Sequence, residues 1–425
     1  MMKHYNSYKD SGIEWIGEIP SHWDNPRLKF LISETYGGEV IDKSFWGEGV
    51  EILYTTSKLI HKSNYDKFNY DRRTTTRDLL LSRNGDGVVH IPPDGCIYTN
   101  VVQLVRIKNG YDRRFLYYIL TQQIQPLNSY SDGDFIVSLN KEQWFNLFTP
   151  HPSLKEQEQI VSFLDDKTTK IDELIQNKLR KIDLLKEYRT SLINTVVTKG
   201  LNPNVPMKDS GIEWIGEIPS HWEKSRLDFL FRLYGRVGWK SLKSDEYVED
   251  GYVFLSTPNI KDKVIDYVNV NYITKERYDE SPEIMLENGD VLLVKDGSTL
   301  GIVNIVVDLP RPSTVNSSIG VLKKISDKIS PMFMYYHLTS DYHQNIINRI
   351  KGGMGVPHLF QSDIKKFDVI LPLLSEQEHI VSYLDEKTSQ IDKTIDIEKK
   401  KIELLKEYRQ SLISSVVTGK IKVIE

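Results

Sequence analysis

The sequence predicts an α+β protein built as an internal tandem repeat, with two mixed α/β domains joined by two long antiparallel coiled-coil helices. Three observations carry that reading. Residues 9–23 read KDSGIEWIGEIPSHW, and residues 208–222 repeat all fifteen letters at an offset of 199. A second pair of blocks, EQEQIVSFLDDKTTKID from Glu156 and EQEHIVSYLDEKTSQID from Glu376, repeats at an offset of 220. Between them, residues 24–150 and 223–370 differ greatly, and the second variable segment is the longer by 21 residues. A period near 200 residues is too long for a solenoid. Scaffold blocks that stay alike around dissimilar middles point to one architecture presenting two specificities.

The boundaries follow from the repeat. Residues 1–150 hold the first short block and variable domain, and 151–200 the central helix. Residues 201–370 hold the second block and domain, and 371–425 the C-terminal helix. In the central block Ile171, Ile175, Lys178, Ile182, Leu185, Arg189, Leu192 and Val196 alternate spacings of four and three. Ile391, Ile395, Glu398, Ile402, Leu405, Arg409, Leu412 and Val416 repeat that register. This is a heptad seam with two polar interruptions, and it predicts that the helices pair with each other. Opposite charges at Lys178 and Glu398 favour that pairing. A helix over 169–197 is ~44 Å long at 1.5 Å per residue. Ser153 with Glu156, and Ser375 with Glu378, read as capping boxes at the helix entrances.

The variable domains share a skeleton despite their differences. LLLSRNG (79–85) and VLLVKDG (291–297) each predict an apolar strand ending in a polar turn. FLYYILT (115–121) and FMYYHLT (333–339) predict matching helices, followed by the glycine-containing stretches SDGDFIVSL (131–139) and KGGMGVPHL (351–359). Polar strand-end loops on a rigid scaffold are where binding concentrates. The candidates there are Thr56, Lys58, Arg83 and Asn84 in the first domain. In the second they are Ser256, Asn259, Lys295, Asp296, Ser298, Thr299, Asn316 and Lys351. Arginine reads guanine and asparagine reads adenine through paired hydrogen bonds, while lysine and hydroxyl groups suit bases or phosphates. Arg72, Arg73 and Arg77 form the densest basic cluster, either a phosphate footprint or a solvated charge run. Trp15, Trp23, Trp214 and Trp222 in the repeated block read as a plug against the helices, a docking surface for another subunit, or both. His22 and His221 read as packing beside tryptophan.

Composition narrows the class. With 55 Lys+Arg against 59 Asp+Glu, the net charge of −4 is not that of a strongly basic nucleic-acid binder. One cysteine, Cys96, excludes a disulfide framework and a multi-cysteine metal site. No apolar run is long enough for a membrane span, and the N-terminus lacks a signal stretch, so a reducing cytoplasm is expected. The sequence holds no Walker loop, no G-x-G-x-x-G, no Asn-Pro-Pro-aromatic tetrapeptide and no G-x-S-x-G elbow. Asp290 and Lys295 imitate a metal-nuclease motif, but Leu293 stands where the second acid belongs. Binding without chemistry is the leading class. A nuclease or methyltransferase with an unrecognised site, and a protein-assembly scaffold without DNA readout, remain the alternatives.

These residues together resemble the specificity subunits of type I restriction–modification systems. The likeness lies in K-D-S-G-x-E-W-x-G-x-I-P-x-H-W at 9–23 and 208–222. It extends through P-x-x-x-E-Q-x-x-I-x-x-x-L-D and the helix ending K-E-Y-R-x-S-L-I-x-x-x-V-T, at 152–198 and 372–418. The terminal Val417-Thr418-Gly419-Lys420 also fits, whereas the first helix ends Val197-Thr198-Lys199-Gly200. The resemblance implies a non-catalytic subunit whose two target-recognition domains each read half of a split double-stranded DNA site. It implies helices that set the spacer, ~13 base pairs for ~44 Å. Two methylation subunits using S-adenosylmethionine, and two restriction subunits using ATP and Mg²⁺, are the implied partners. A near-neutral reader gains little phosphate affinity by itself, so tight binding is expected only with those partners.

Overall fold

The structure is a computed structural model that describes residues 4–14, 16–83, 87–129, 140–236, 242, 244–261, 264–351 and 358–423. The chain divides into two compact units, Met1–Leu179 with Lys399–Glu425, and Arg180–Glu398.

In the first unit, strands Ile32–Gly37, Val102–Ile107, Asp78–Ser82 and Val89–His90 form an antiparallel sheet in that order. A second sheet orders His61–Ser63, Trp46–Tyr54 and Ile97–Tyr98, the last pair running parallel. In the second unit the same topology recurs. Phe231–Tyr234, Ile319–Lys324, Val291–Val294 and Val303–Ile305 form the four-stranded sheet. Asn271–Ile273, Tyr252–Leu255 and Ser313–Val315 form the three-stranded one. Two segments with little sequence in common therefore build one domain plan.

The central strands explain why their sequences match. Leu79 and Leu81 enter one core cluster while Leu80 enters another. Val291 and Leu293 likewise face one core, and Leu292 and Val294 the other. A strand covered on both faces needs a continuous apolar run, with no alternation. Burying each leucine contributes roughly 1.5–3 kcal/mol.

Four helices attach these domains to the scaffold: α1 (Arg113–Ser129), α2 (Leu154–Lys199), α3 (Pro331–Thr339) and α4 (Leu374–Val417). Tyr118 of α1 donates its hydroxyl to Asp165 of α2 at 2.7 Å, and Tyr336 of α3 donates to Asp385 of α4 at 2.6 Å. Gln157 donates to the Pro152 carbonyl and accepts from the Asp112 amide, both at 2.9 Å. Gln377 donates to Pro372 at 2.9 Å and accepts from Ser330 at 2.8 Å.

The long helices have 46 and 44 residues, longer than the 169–197 span that the heptad predicts. Ahead of the seam α2 buries Ile160, Leu164 and Thr168, and α4 buries Ile380, Leu384 and Thr388, two successive steps of four residues that a heptad does not make. A search for a 3.5-residue seam stops where that packing begins. Within the second unit Lys181 pairs with Glu398 at 3.0 Å and Arg189 with Asp392 at 3.3 Å, which makes α2 and α4 antiparallel. Within the first unit Arg409 pairs with Asp172 at 2.9 Å. Of the seam residues, Ile171, Ile175, Ile182, Val196, Ile391, Ile395, Ile402, Leu412 and Val416 are buried, and Leu185, Leu192 and Leu405 half-buried.

The entrances need a correction. Ser375 lies inside α4, one residue past its start, so Ser375 and Glu378 form no N-terminal cap. Glu156 turns away from Ser153 and accepts from Trp23 Nε1 at 3.0 Å and Tyr5 Oη at 2.6 Å. The aligned Glu376 accepts from Trp222 Nε1 at 3.0 Å. At the opposite helix ends Gly200 and Gly419 both take φ +74°, the left-handed cap conformation that favours glycine. VTKG and VTGK thus do the same work one residue apart. Trp23 lies between the start of α2 and Gly419, and Trp222 between the start of α4 and Gly200.

Candidate nucleic-acid interface

Both domains gather loops at corresponding strand ends. In the first, the Thr99 amide donates to the Tyr54 carbonyl at 3.0 Å, and the Arg83 amide to Val101 at 2.8 Å. In the second, Asn316 donates to Leu255 at 2.9 Å, and Lys295 to Ser318 at 2.8 Å. These bonds bring the turns after three strands onto one platform. Ser256, Lys295 and Asn316 meet there, as do Thr55, Arg83 and Thr99.

Thr56 is half-buried, and Lys58 and Arg83 are exposed. Thr56 and Lys58 also line a cleft of about 1070 Å³ with His90, Tyr117, Lys406 and Arg409. Asn84 lies outside the described residues, as do all of 131–139 and residues 352–357 of the second glycine-containing stretch; the Lys351 side chain is likewise outside them. Ser298 is exposed, and Thr299 and Asn316 are half-buried. Asn316 Oδ1 accepts from the Ser318 amide at 3.1 Å, which shapes its turn.

Several candidates have other work. Arg73 donates both terminal nitrogens to Glu51, at 2.6 and 2.9 Å, and a third bond to the Gly95 carbonyl at 2.6 Å. That fork ties the domain together and holds the Glu51 carboxyl below the usual range. Arg72 is exposed, and Arg77 donates to Asn109 at 2.9 Å. Arg77 and Arg83 flank opposite ends of strand Asp78–Ser82, about 20 Å of extended chain apart, so the basic cluster does not join the platform. Asn259 is buried and spends its amide on the Ser256 amide at 2.8 Å and the Asn269 carbonyl at 2.7 Å. Lys295 is only 8% exposed, and its ammonium lies 3.0 Å from Asp296 Oδ2. A buried, paired lysine offers no phosphate contact.

The tryptophans also divide. Trp23 and Trp222 are fully buried with their indole nitrogens bonded to Glu156 and Glu376, so they present nothing to another subunit. His22 and His221 bond the same carboxylates at 3.2 and 3.0 Å. Trp214 is 59% exposed beneath the Arg349 guanidinium, 4.2 Å from the ring centre. Trp15 lies outside the described residues.

Sequence reasoning missed His358, Phe360 and Gln361, which join the second platform. His358 Nδ1 bonds Asp296 Oδ1, and Leu359 donates to the Lys295 carbonyl at 2.8 Å. Burial pushes the Asp296 carboxyl up, but Lys295 and His358 together outweigh it and leave it below the usual carboxylate range. His358 is 62 positions from Asp296, and no periodicity links them. Asp290 accepts from Lys323 at 3.1 Å, which occupies the acid of the imitated nuclease motif. Among the described residues no three His, Cys, Asp or Glu side chains form a metal-holding group, and no helix is long and apolar enough to cross a membrane.

Comparison with known proteins converges on one family. The family model described as "Type I restriction modification DNA specificity domain" matches residues 32–184 and 219–407. The chain is 24% identical to the type I restriction enzyme MjaVIII specificity subunit of Methanocaldococcus jannaschii, over 95% of this chain and 94% of that one. It is 27% identical to the putative MjaX specificity subunit of the same organism, over 96% of each. Among solved structures, a chain from work on complex assembly and conformational transition of the type I R-M system superposes with a TM-score of 0.72. That match has 15% identity and covers 94% of this chain and 98% of the other. The HsdS subunit of Thermoanaerobacter tengcongensis matches with a TM-score of 0.52 and 16% identity, over 95% and 98%. At those identities the structures attest the fold.

Proposed function

Since the chain belongs to the type I restriction–modification DNA specificity family, we propose that each of its variable domains reads one half of a bipartite double-stranded DNA target. The chain supplies recognition and assembly and carries no catalytic step. The observation that supports this reading is one topology built twice from dissimilar sequence, with a platform of strand-end loops on each copy. Direct readout needs such a rigid support, because base discrimination depends on donors and acceptors held in fixed positions. α2 and α4 set the spacing between half-sites.

Docking of methylation subunits falls to the outer faces of the long helices. In the second unit α2 exposes Leu184 and Tyr188, and in the first α4 exposes the aligned Leu404 and Tyr408. Apolar residues one turn apart on an exposed helix suit a partner helix. Methylation partners bring S-adenosylmethionine and restriction partners bring ATP and Mg²⁺, so no cofactor step runs through this chain. A cytoplasmic location follows from that work on DNA.

The test is methylome sequencing of cells carrying the partner genes. A bipartite motif dependent on this chain is expected, and exchanging residues 24–150 for another variable domain changes only one half of it. Absence of any chain-dependent motif overturns the proposal.

A further inference from the structure

The second platform carries a partly exposed carboxylate at its tip, which needs an explanation if that tip faces DNA. Asp296 lies two residues past the end of strand Val291–Val294, beside the turns of Ser256 and Asn316. A carboxylate facing a polyanion is repelled unless it meets a specific donor. Here the carboxylate is built in with care. Lys295 Nζ bonds Oδ2 at 3.0 Å, and His358 bonds Oδ1 from the far side of the platform. Gly235 lies beside this arrangement, where a Cβ would come within 3.0 Å of Gln361 Nε2.

Two bonds orient the carboxylate without exhausting it. Each oxygen has two lone pairs, so each keeps one acceptor position. Asp296 remains partly exposed, whereas the lysine that neutralises it is buried. The exposed Phe360 ring stands against His358, with ring centres 4.6 Å apart. In the major groove the donors available to a carboxylate are the exocyclic amines, N4 of cytosine and N6 of adenine. The position aligned with Asp296 in the first copy is Asn84, also a residue type that reads bases.

We infer that Asp296 is a specificity-determining residue of the second recognition domain, accepting a hydrogen bond from an exocyclic base amine in its half-site. Lys295 and His358 are its positioning residues. The inference rests on the proposed DNA-reading function. A chain whose only use for Asp296 was to neutralise Lys295 would have no base whose recognition depends on it.

The experiment uses the complex reconstituted with its methylation subunits and the motif found by methylome sequencing. Duplexes lacking one amine at a time, with purine in place of adenine or pyrimidin-2-one in place of cytosine, are tested for binding. One position in the C-terminal half-site should lose about 10- to 100-fold in affinity. The purine arm and the pyrimidinone arm tell N6 from N4. Asp296→Ala, which leaves no acceptor, should abolish that sensitivity and relax the motif at the same position, leaving the other half-site and the spacer unchanged. The double variant Lys295→Met/Asp296→Ala removes both charges and the acceptor, so it leaves no buried ion unpaired should the single variant fold poorly. The inference is overturned if no amine deletion weakens wild-type binding, or if either folded variant keeps both the motif and the sensitivity. A chain with no motif at all would instead overturn the functional reading beneath it.

Discussion

Trp23 donates its indole N–H to the Glu156 carboxylate at 3.0 Å. Glu156 also takes Tyr5, whereas the aligned Glu376 holds Trp222 with Asn204 at the position of Tyr5. Trp23→Ala and Trp222→Ala should each cost about 3–5 kcal/mol, the range for emptying a buried aromatic site. Glu156→Gln should cost more than Glu376→Gln, because it disturbs two buried donors. Urea denaturation of the four variants checks the order, and equal losses at the two glutamates would refute it.

The helix-end glycines give a graded prediction. A Cβ at Gly419 would lie 2.3 Å from Pro20 Cδ, while one at Gly200 would lie 3.1 Å from Trp222 Cζ2. Both positions have φ +74°, so alanine at either costs about 1 kcal/mol or more in backbone strain. Gly419→Ala adds a collision with a rigid ring and should be the worse of the two. Thermal unfolding of both variants measures the difference.

His337 and His343 give the second unit a pH response. Both are buried, with their Nδ1 atoms 3.2 Å apart. Burial pushes His343 down to about 4 and His337 well below its ordinary value. Asp368 is the charged group that opposes the shift at His343, and Tyr342 and Phe367 complete its surroundings. An unfolded histidine takes its proton near pH 6.5, so stability is full above that pH and falls as pH drops toward 4. The first copy has Ile119 where the second has His337. Hydrogen exchange at pH 7 and pH 5 should show α3 loosening more than α1, because burial depresses His90 and His151 in the first unit as well; equal loosening of both would contradict the account.

Spacer length should follow helix length. Seven residues inserted into both α2 and α4 preserve the heptad register and add ~10.5 Å, or ~3 base pairs. Methylome sequencing should find the spacer altered and both half-sites intact. Altered half-sites with a constant spacer would dissociate the helices from that role.

The repeat and the helix seam were legible because identity and a 3.5-residue period are visible without coordinates. The paired topology was legible only at Leu79–Leu81 and Val291–Val294, where two cores demand an unbroken apolar run. The interface was less so. Arg73 and Arg83 look alike in sequence, yet Glu51 occupies one and leaves the other at the platform. Lys295 reads as an exposed tip, yet it is buried with its ammonium on Asp296. Asp296 and His358 meet through folding alone, and the glutamates that hold the tryptophans hid inside apparent capping boxes.

The fifteen identical residues have a hereditary consequence. Each copy supplies a tryptophan for the glutamate of an equally repeated helix start. Genes that recombine within this block would therefore inherit a complete clasp from whichever parent provides it. A new reader can enter by a single exchange of DNA, with no compensating mutation required at the clasp.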